Sequence, residues 1–185
     1  TGTLGSGKSS VCKILKENGY DIISNGVLFR EIAEEKGITV VELNELAKKD
    51  KSIDDMLDER SIRLGKELDS TIFDSRMGWH FIPDSFKVFL LADMTEAGRR
   101  VYNDNRVSES YNDPATAKAD LIKRQLMEKK RFSDLYQTDY LNLNNYDLVI
   151  ESTYATPNQI AEQILKGVEE KVKSQAKLNP KSLYP

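Results

Sequence analysis

The sequence predicts an α/β fold built around a parallel sheet. Short apolar segments typical of buried strands alternate with longer segments whose apolar residues recur at helical spacing. A glycine-rich loop directly precedes the first helical segment, and that order is typical of an anion site at a helix N-terminus. The length of 185 residues fits one domain.

The first part of the chain predicts two helices around a strand. A helix over residues 7–18 carries its apolar residues on one face and ends at Gly19. Residues 20–24 form a short apolar strand. The next helix covers residues 26–36, and Gly37 ends it because glycine readily takes up the backbone conformation that follows a helix.

Two further helices lead to a second strand. Thr39 and Glu42 have the three-residue spacing of a capping box, which predicts that a helix begins there. Ser52 opens an amphipathic helix that runs to residue 68. Residues 71–74 then form a strand that ends in a carboxylate.

The second half of the chain repeats this alternation. Residues 86–91 form a buried strand, residues 95–105 a helix and residues 113–132 a long charged helix. Residues 147–150 form the last strand. Pro157 stands at the first position of a final helix, where its fixed φ angle is favourable.

Composition excludes several classes of protein. The chain is 39% hydrophobic and 31% charged with a net charge of −3, which favours one folded core and gives no support to a broad cationic face for nucleic acid. No apolar run approaches the roughly 20 residues that span a bilayer, and no secretory signal peptide is visible. Cys12 is the single cysteine, so an intramolecular disulfide and a cysteine metal cluster are excluded. We expect a cytoplasmic monomer without membrane or nucleic-acid partners.

The N-terminal loop fits the phosphate-binding pattern G-x-x-x-x-G-K-[ST], which arises by chance in a chain of this length about 1% of the time. Its glycines let backbone N–H groups converge on phosphate oxygens, Lys8 reaches the β- and γ-phosphates, and the Ser9 hydroxyl is suited to bind Mg²⁺. The residues expected to bind ATP are Gly2, Thr3, Leu4, Gly5, Ser6, Gly7, Lys8, Ser9 and Ser10. ATPases, GTPases and small-molecule kinases all use such a loop, and the chain lacks the Asn-Lys-x-Asp motif that reads guanine.

A second group of residues fits an anionic acceptor. Gly26 follows the strand at residues 20–24 and lets a ligand approach the backbone, while Arg30 lies one helical turn later and can bind a phosphate with two hydrogen bonds. Asp74 ends the next strand, at the sheet edge where ligands bind in open α/β sheets, and a carboxylate there can hold Mg²⁺ through water.

Arg124 and Arg131 are seven residues apart, so two helical turns place them on one face. The segment from residue 123 to residue 131 has five basic residues and one acidic residue in a chain that is slightly acidic overall. A basic helix of this kind suits phosphoryl transfer, because it can neutralise charge on the transferring group. A solvated helix face and a patch for another acidic partner are the alternatives.

Together these residues resemble the cytidylate (CMP) kinases, in particular the short archaeal-type branch of the P-loop nucleoside monophosphate kinases. The resemblance covers roughly residues 2–153. Beyond the phosphate-binding loop it rests on the segments Ser24-x-Gly26-x-x-Phe29-Arg30-Glu31, Ile53-Asp54-x-x-Leu57-Asp58-x-Arg60, Asp74-Ser75-Arg76-Met77-Gly78-Trp79, Lys130-Arg131-Phe132 with Tyr136, and Tyr146-Asp147-Leu148-Val149-Ile150.

The resemblance implies a P-loop NTPase fold: a five-stranded parallel sheet of order 2-3-1-4-5, with helices on both faces and a helical lid. The first of the five strands is expected upstream of Thr1. A single kinase domain over residues 1–185 is expected to contain an acceptor-binding segment at 26–68, a lid at 103–137 and a flexible tail at 174–185.

The resemblance also assigns roles. Arg124 and Arg131 match two lid arginines of the family that engage the phosphates, and together with Lys8 of the glycine-rich loop they are the expected catalytic residues. From the loop motif and from the strand that ends in a carboxylate, Ser9 and Asp74 are the expected Mg²⁺ ligands. The residues expected to bind the acceptor nucleotide are Ser24, Gly26, Arg30, Asp58, Arg60 and Arg76.

The predicted reaction is transfer of the γ-phosphoryl group of MgATP to CMP or dCMP. A base slot walled by Phe29 and Met77 favours a pyrimidine over a purine. UMP is an alternative acceptor, because the Asn25 amide can turn to donate a hydrogen bond to uracil. A non-catalytic P-loop nucleotide sensor and an RNA-binding basic helix are alternatives from other classes, and the net charge disfavours the second.

Overall fold

The computed structural model describes residues 1–104 and 111–178, with side chains through residue 175. The strands are β1 (Asp21–Ser24), β2 (Thr71–Asp74), β3 (Val88–Leu91) and β4 (Leu148–Glu151). The helices are α1 (Lys8–Glu17), α2 (Asn25–Glu35), α3 (Val40–Ala47), α4 (Ser52–Glu67), α5 (Gly78–Phe81), α6 (Met94–Asn103), α7 (Pro114–Tyr136) and α8 (Pro157–Leu178), with a 3-10 turn at Leu143–Asn145. The fold is α/β, and helices account for most of it.

The chain divides into two compact units. The first unit contains Thr1–Ile14 and the chain from Phe86 onward, and the second unit contains Leu15–Ser85. The phosphate-binding loop and the long helix α7 belong to the first unit, whereas α2 and α4 belong to the second.

In the second unit, β1 and β2 pair in parallel, in a register that runs from Asp21 opposite Thr71 to Ser24 opposite Asp74. Helices α2, α3 and α4 enclose a separate apolar core. Its buried residues are Ile32, Ala33, Leu43 and Ile53. The capping box predicted for α3 is confirmed, because the Thr39 hydroxyl accepts from the Glu42 N–H and the Glu42 carboxylate accepts from the Thr39 N–H.

In the first unit, β3 and β4 form the other parallel pair. The first residues of the chain lie beside β3, since the Thr3 N–H donates to the Leu90 carbonyl at 2.9 Å and the Leu90 N–H donates to the Thr1 carbonyl at 3.0 Å. Gly2 bridges Leu90 in parallel orientation. Helices α6 and α7 pack under the loop, around the buried residues Leu4, Ala97, Val101 and Leu121.

All four strands lie where the sequence predicts them. The described strands form two parallel pairs. The expected order counts the upstream strand as strand 1, so β1 and β2 correspond to strands 2 and 3, and β3 and β4 to strands 4 and 5. Both pairs are neighbours in the order 2-3-1-4-5. The complete five-stranded order stays a prediction.

Several helix boundaries differ from expectation. Ser52 opens α4 as predicted, but the helix ends at Glu67, one residue before the predicted end. Helix α7 continues four residues past residue 132 and ends where Gln137 takes the left-handed conformation, with φ 53°. Helix α8 continues to Leu178, so the first residues of the predicted tail are helical; residues 179–185 lie outside the described part.

No helix in the described ranges is both long enough and apolar enough to cross a membrane.

Candidate active site

The loop from Gly2 to Ser9, called here the phosphate loop, connects the segment beside β3 to helix α1. A Cβ atom on Gly2 would lie 2.4 Å from the Leu90 carbonyl oxygen. Gly5 has a left-handed φ of 72°, and a Cβ atom there would lie 2.8 Å from the Ala97 Cβ atom. Only glycine fits at these two positions, so packing against β3 and α6 explains the motif as much as ligand access does.

Two buried hydroxyl groups hold the phosphate loop in place. The Thr3 Oγ1 atom accepts a hydrogen bond from the Ala92 N–H at 3.0 Å. The Ser152 hydroxyl lies 3.0 Å from the carbonyl oxygens of both Ser6 and Leu91, and Ser152 is fully buried. The residues just past β3 and β4 therefore fix the backbone of the loop.

Arg100 fixes the segment that contains Ser152. Its Nη2 donates to the Ser152 carbonyl at 2.8 Å and to the Thr153 carbonyl at 2.7 Å, while its Nε donates to Glu96 at 3.1 Å. Hydrogen bonds from Arg99 and then Arg100 lower the pKa of Glu96 from its ordinary value to about 2, against the opposing effect of burial. Sequence reasoning missed this network, although the polar pair Ser152-Thr153 at the end of a strand is a signal for a ligand-proximal loop.

The N-terminus of α1 suits a phosphate. The helix begins at Lys8 and has no acidic residue in its first turn, so its positive end is not neutralised by a side chain of its own. The Ser6 Oγ atom is buried and finds no hydrogen-bond partner among the described residues. Buried hydroxyl groups are normally paired, and a bound phosphate oxygen is a suitable partner for this one. The loop therefore fits the triphosphate of ATP.

Lys8, Ser9 and Ser10 lie at the end of the phosphate loop, where the sequence places the catalytic lysine and the Mg²⁺ ligand. Lys8 is half-buried, and both serines are exposed. The Ser10 N–H donates to the Gly7 carbonyl at 3.1 Å, which starts the helix.

Helix α7 carries both predicted lid arginines on one continuous helix, as their spacing requires. The Arg124 guanidinium lies 3.9 Å from the Asp120 carboxylate, which also accepts from the Tyr111 hydroxyl at 2.7 Å. Arg131 is exposed. The predicted lid at 103–137 includes residues 105–110, which lie outside the described part of the chain.

In the second unit, the junction of β1 and α2 contains three of the predicted acceptor residues, namely Ser24, Gly26 and Arg30. Ser24 caps α2, since its Oγ atom accepts from the Val27 N–H at 3.2 Å. The Cβ position of Gly26 lies 3.8 Å from both the Ser24 Oγ atom and the Arg30 Nη1 atom. Asp74 stands opposite Ser24 at the carboxyl ends of the paired strands. The Ser24 hydroxyl, the Arg30 guanidinium and the Asp74 carboxylate therefore lie at the same end of the β1–β2 pair.

Helix α4 carries two further predicted acceptor residues, Asp58 and Arg60. Asp58 is half-buried. The Arg60 guanidinium donates to Glu35 at 2.6 Å and to Glu31 at 3.3 Å, and both of these carboxylates belong to α2.

Arg76 follows β2 and is half-buried. The preceding Ser75 is buried and accepts a hydrogen bond from the Met77 N–H at 3.2 Å, which shapes the turn before α5. Phe29 packs against the core of α2–α4, and Met77 is 3% exposed. The base slot between them stays a prediction.

The predicted Mg²⁺ ligands belong to different units, Ser9 to the first and Asp74 to the second, and their joint role stays a prediction. Across residues 1–104 and 111–175, no group of three or more His, Cys, Asp or Glu side chains could hold a metal ion. The donors present still fit Mg²⁺, which kinases commonly bind through one or two protein oxygens together with substrate phosphates.

Comparison with known proteins gives one consistent family. The model of the cytidylate kinase-like family matches residues 1–154. The cytidylate kinase of Sulfolobus acidocaldarius is 34% identical over 175 residues, which cover 92% of this chain and 93% of that protein. An S-adenosylmethionine-dependent nucleotide dehydratase of Lacinutrix mariniflava is 32% identical over 168 residues, which cover 90% of this chain but 34% of that protein.

A solved structure shares the fold. Shikimate kinase from Bacteroides thetaiotaomicron superposes with a TM-score of 0.58 at 15% identity, over 94% of this chain and 96% of that one. At this identity the likeness concerns the fold alone, and it agrees with the predicted α/β fold.

Proposed function

The chain belongs to the cytidylate kinase-like family, as its sequence motifs predict, and is an ATP-dependent kinase; we propose that it phosphorylates a nucleoside monophosphate, with CMP and dCMP as the preferred acceptors. The products are ADP and CDP or dCDP.

The phosphate loop carries the proposal. Close packing requires glycine at Gly2 and Gly5. The buried Ser6 hydroxyl has no hydrogen-bond partner among the described residues, and the backbone leads into a helix N-terminus without acidic residues. A site with these features binds a polyphosphate through backbone N–H groups and the positive end of the helix. Lys8 then supplies a mobile positive charge at the β- and γ-phosphates.

Catalysis in this proposal is positioning and charge neutralisation. The acceptor phosphate is already an anion, so its attack on the γ-phosphorus needs no strong general base. Lys8, Arg124 and Arg131 supply positive charge as the γ-phosphoryl group moves. Ser9 and Asp74 would each offer an oxygen ligand to Mg²⁺, and the ion would supply further charge neutralisation on the phosphates.

The acceptor is proposed to bind at the start of α2. Ser24, Gly26 and Arg30 lie together there, which supports a phosphate contact from the exposed Arg30 guanidinium. Asp58 and Arg76 complete the proposed set, with Asp58 as an acceptor for the cytosine amino group. A site built on hydrogen bonds to one base rejects a base that leaves those groups unpaired.

One relative is a nucleotide dehydratase, so a different monophosphate is a second candidate for the acceptor. UMP is the strongest competitor, because the half-buried Asn25 can present either its oxygen or its amide hydrogens.

A coupled assay of ADP release across CMP, dCMP, UMP, AMP and GMP tests the proposal. We expect kcat/KM to be highest for CMP and dCMP, lower for UMP and lowest for the purines. ATP turnover that is independent of any added monophosphate contradicts the kinase proposal, whereas AMP equal to CMP contradicts only the choice of acceptor.

A further inference from the structure

Arg60 is bound by two carboxylates of the helix that carries Arg30. Its side chain is 16% exposed, whereas those of Glu31 and Glu35 are 49% and 55% exposed. We propose that Arg60 is a positioning residue, which fixes α2 against α4 and so places Arg30, and that it does not itself bind the acceptor phosphate. This inference rests on the proposed function.

The position of Arg60 on α4 supports this role. Ile53 and Leu57 on that helix belong to the apolar cluster shared with α2 and α3. Arg60 follows them by seven and three residues, so helical spacing places it on the same face. Asp58, two residues earlier, lies about 200° around the helix and therefore on another face. Arg60 thus extends the buried helix interface with a polar contact.

The ion pairs with Glu31 and Glu35 already offset the positive charge of Arg60. The hydrogen bond from Arg60 lowers the pKa of Glu35, although burial opposes it, and the same bond raises the pKa of Arg60. Glu35 and Arg60 are therefore both charged at neutral pH. Because two carboxylates offset a single guanidinium, Arg60 has no excess positive charge to offer a phosphate dianion.

The geometry explains how the contact reaches the acceptor site. Glu31 and Glu35 are one turn apart on α2, so bonds to both resist rotation of that helix about its axis as well as its separation from α4. Arg30 directly precedes Glu31. A rotation of α2 would therefore move the Arg30 guanidinium relative to Ser24, because Ser24 is the last residue of β1 and pairs with Asp74 of β2.

Removing the Glu35 carboxylate distinguishes the two roles, because they predict different changes in the KM for CMP. If Arg60 positions α2, Glu35→Gln and Arg60→Gln should each raise the KM for CMP about fivefold, with the KM for ATP unchanged, and Arg60→Lys should recover part of the loss. If Arg60 binds the phosphate, Glu35→Gln frees it and the KM for CMP falls or stays constant; that result would overturn the inference. Glu34→Gln, an exposed carboxylate on the same helix, is the matched control and should leave the KM within twofold.

Two measurements keep the test decisive. Glu35 is exposed, so Glu35→Gln folds even where Arg60→Gln does not, and urea unfolding of each variant identifies a loss caused by misfolding. Equilibrium dialysis with radiolabelled CMP should give the same order in Kd. A wild-type protein that neither turns over nor binds CMP contradicts the proposed function and the inference together. An active wild type with an unimpaired Glu35→Gln variant contradicts the inference alone.

Discussion

The Ser152 hydroxyl lies 3.0 Å from the carbonyl oxygen of Ser6, although 146 residues separate the two. Both residues are buried. This contact joins the loop that follows β4 to the centre of the phosphate loop. It indicates that the geometry of the phosphate loop depends on the C-terminal half of the first unit, as well as on the glycine motif.

Ser152→Ala should destabilise the protein by about 1–3 kcal/mol, because it removes a buried hydrogen bond to the Ser6 carbonyl. It should also raise the KM for ATP more than the KM for CMP. Urea unfolding and steady-state kinetics measure the two effects. Ser174→Ala, at an exposed position on α8, is the control. Equal stability of the two variants would show that the Ser152 contact does not support the loop.

Comparing Gly5→Ala with Gly19→Ala separates two effects of a side chain in the phosphate loop, namely backbone strain and overlap with neighbouring atoms. Gly5 and Gly19 both have left-handed backbones, with φ angles of 72° and 92°. A Cβ atom at Gly5 would also overlap Ala97, whereas nothing lies within 4 Å at Gly19. Gly19→Ala should therefore cost about 1–2 kcal/mol for the backbone alone, and Gly5→Ala should cost more and abolish turnover. Similar free energies of unfolding for the two variants would exclude the packing role.

Arg131→Ala should lower kcat much more than it raises either KM. The physical reason is that charge on the γ-phosphoryl group is redistributed in the transition state, where an added cation has its largest effect. Lys130→Ala, at an exposed residue on the same helix that pairs with Asp134, controls for loss of one positive charge. A change confined to the KM for ATP would mean that Arg131 binds the ground state only.

Glu96 should make stability depend on pH in acid. Its pKa is lowered to about 2 in the folded protein by Arg99 and Arg100, below its ordinary value of 4.5. A depressed folded-state pKa gives stabilisation that is fully present above pH 4.5 and lost as the pH falls through about 2. Glu96→Gln should therefore lower the urea midpoint at pH 6 but have little effect near pH 2. Glu162→Gln, at an exposed site on α8, should show no such convergence.

The local elements were predictable from sequence because local rules determine them. The alternation of apolar residues located all four strands, and the spacing of Thr39 and Glu42 located the start of α3. Helix α5 was missed because Gly78–Phe81 is a single turn, too short to show a helical period. The end of α7 was missed because the helix ends at the left-handed backbone of Gln137. No change in composition marks that position in the sequence.

The contacts that organise the site were less predictable. Motif spacing identified the phosphate loop and Arg30, but not what holds them. The hydrogen bonds from Arg60 to Glu31 and Glu35 join residues that are 29 and 25 positions apart in the sequence. Ser152 and Ser6 are 146 positions apart. Such pairs depend on how helices and strands pack, and no local pattern encodes them.

Phosphorus NMR of a reaction that contains equal amounts of ATP and CMP with Mg²⁺ tests the central claim most directly. The wild-type protein should convert the ATP γ-phosphoryl signal into the β-phosphate signal of CDP, with one ADP formed for each CDP. Lys8→Ala should be slower by at least about a hundredfold, whereas Lys13→Ala, at an exposed lysine on α1, should match the wild type. Release of inorganic phosphate without CDP, or a Lys8→Ala rate within about tenfold of the wild type, would contradict the account.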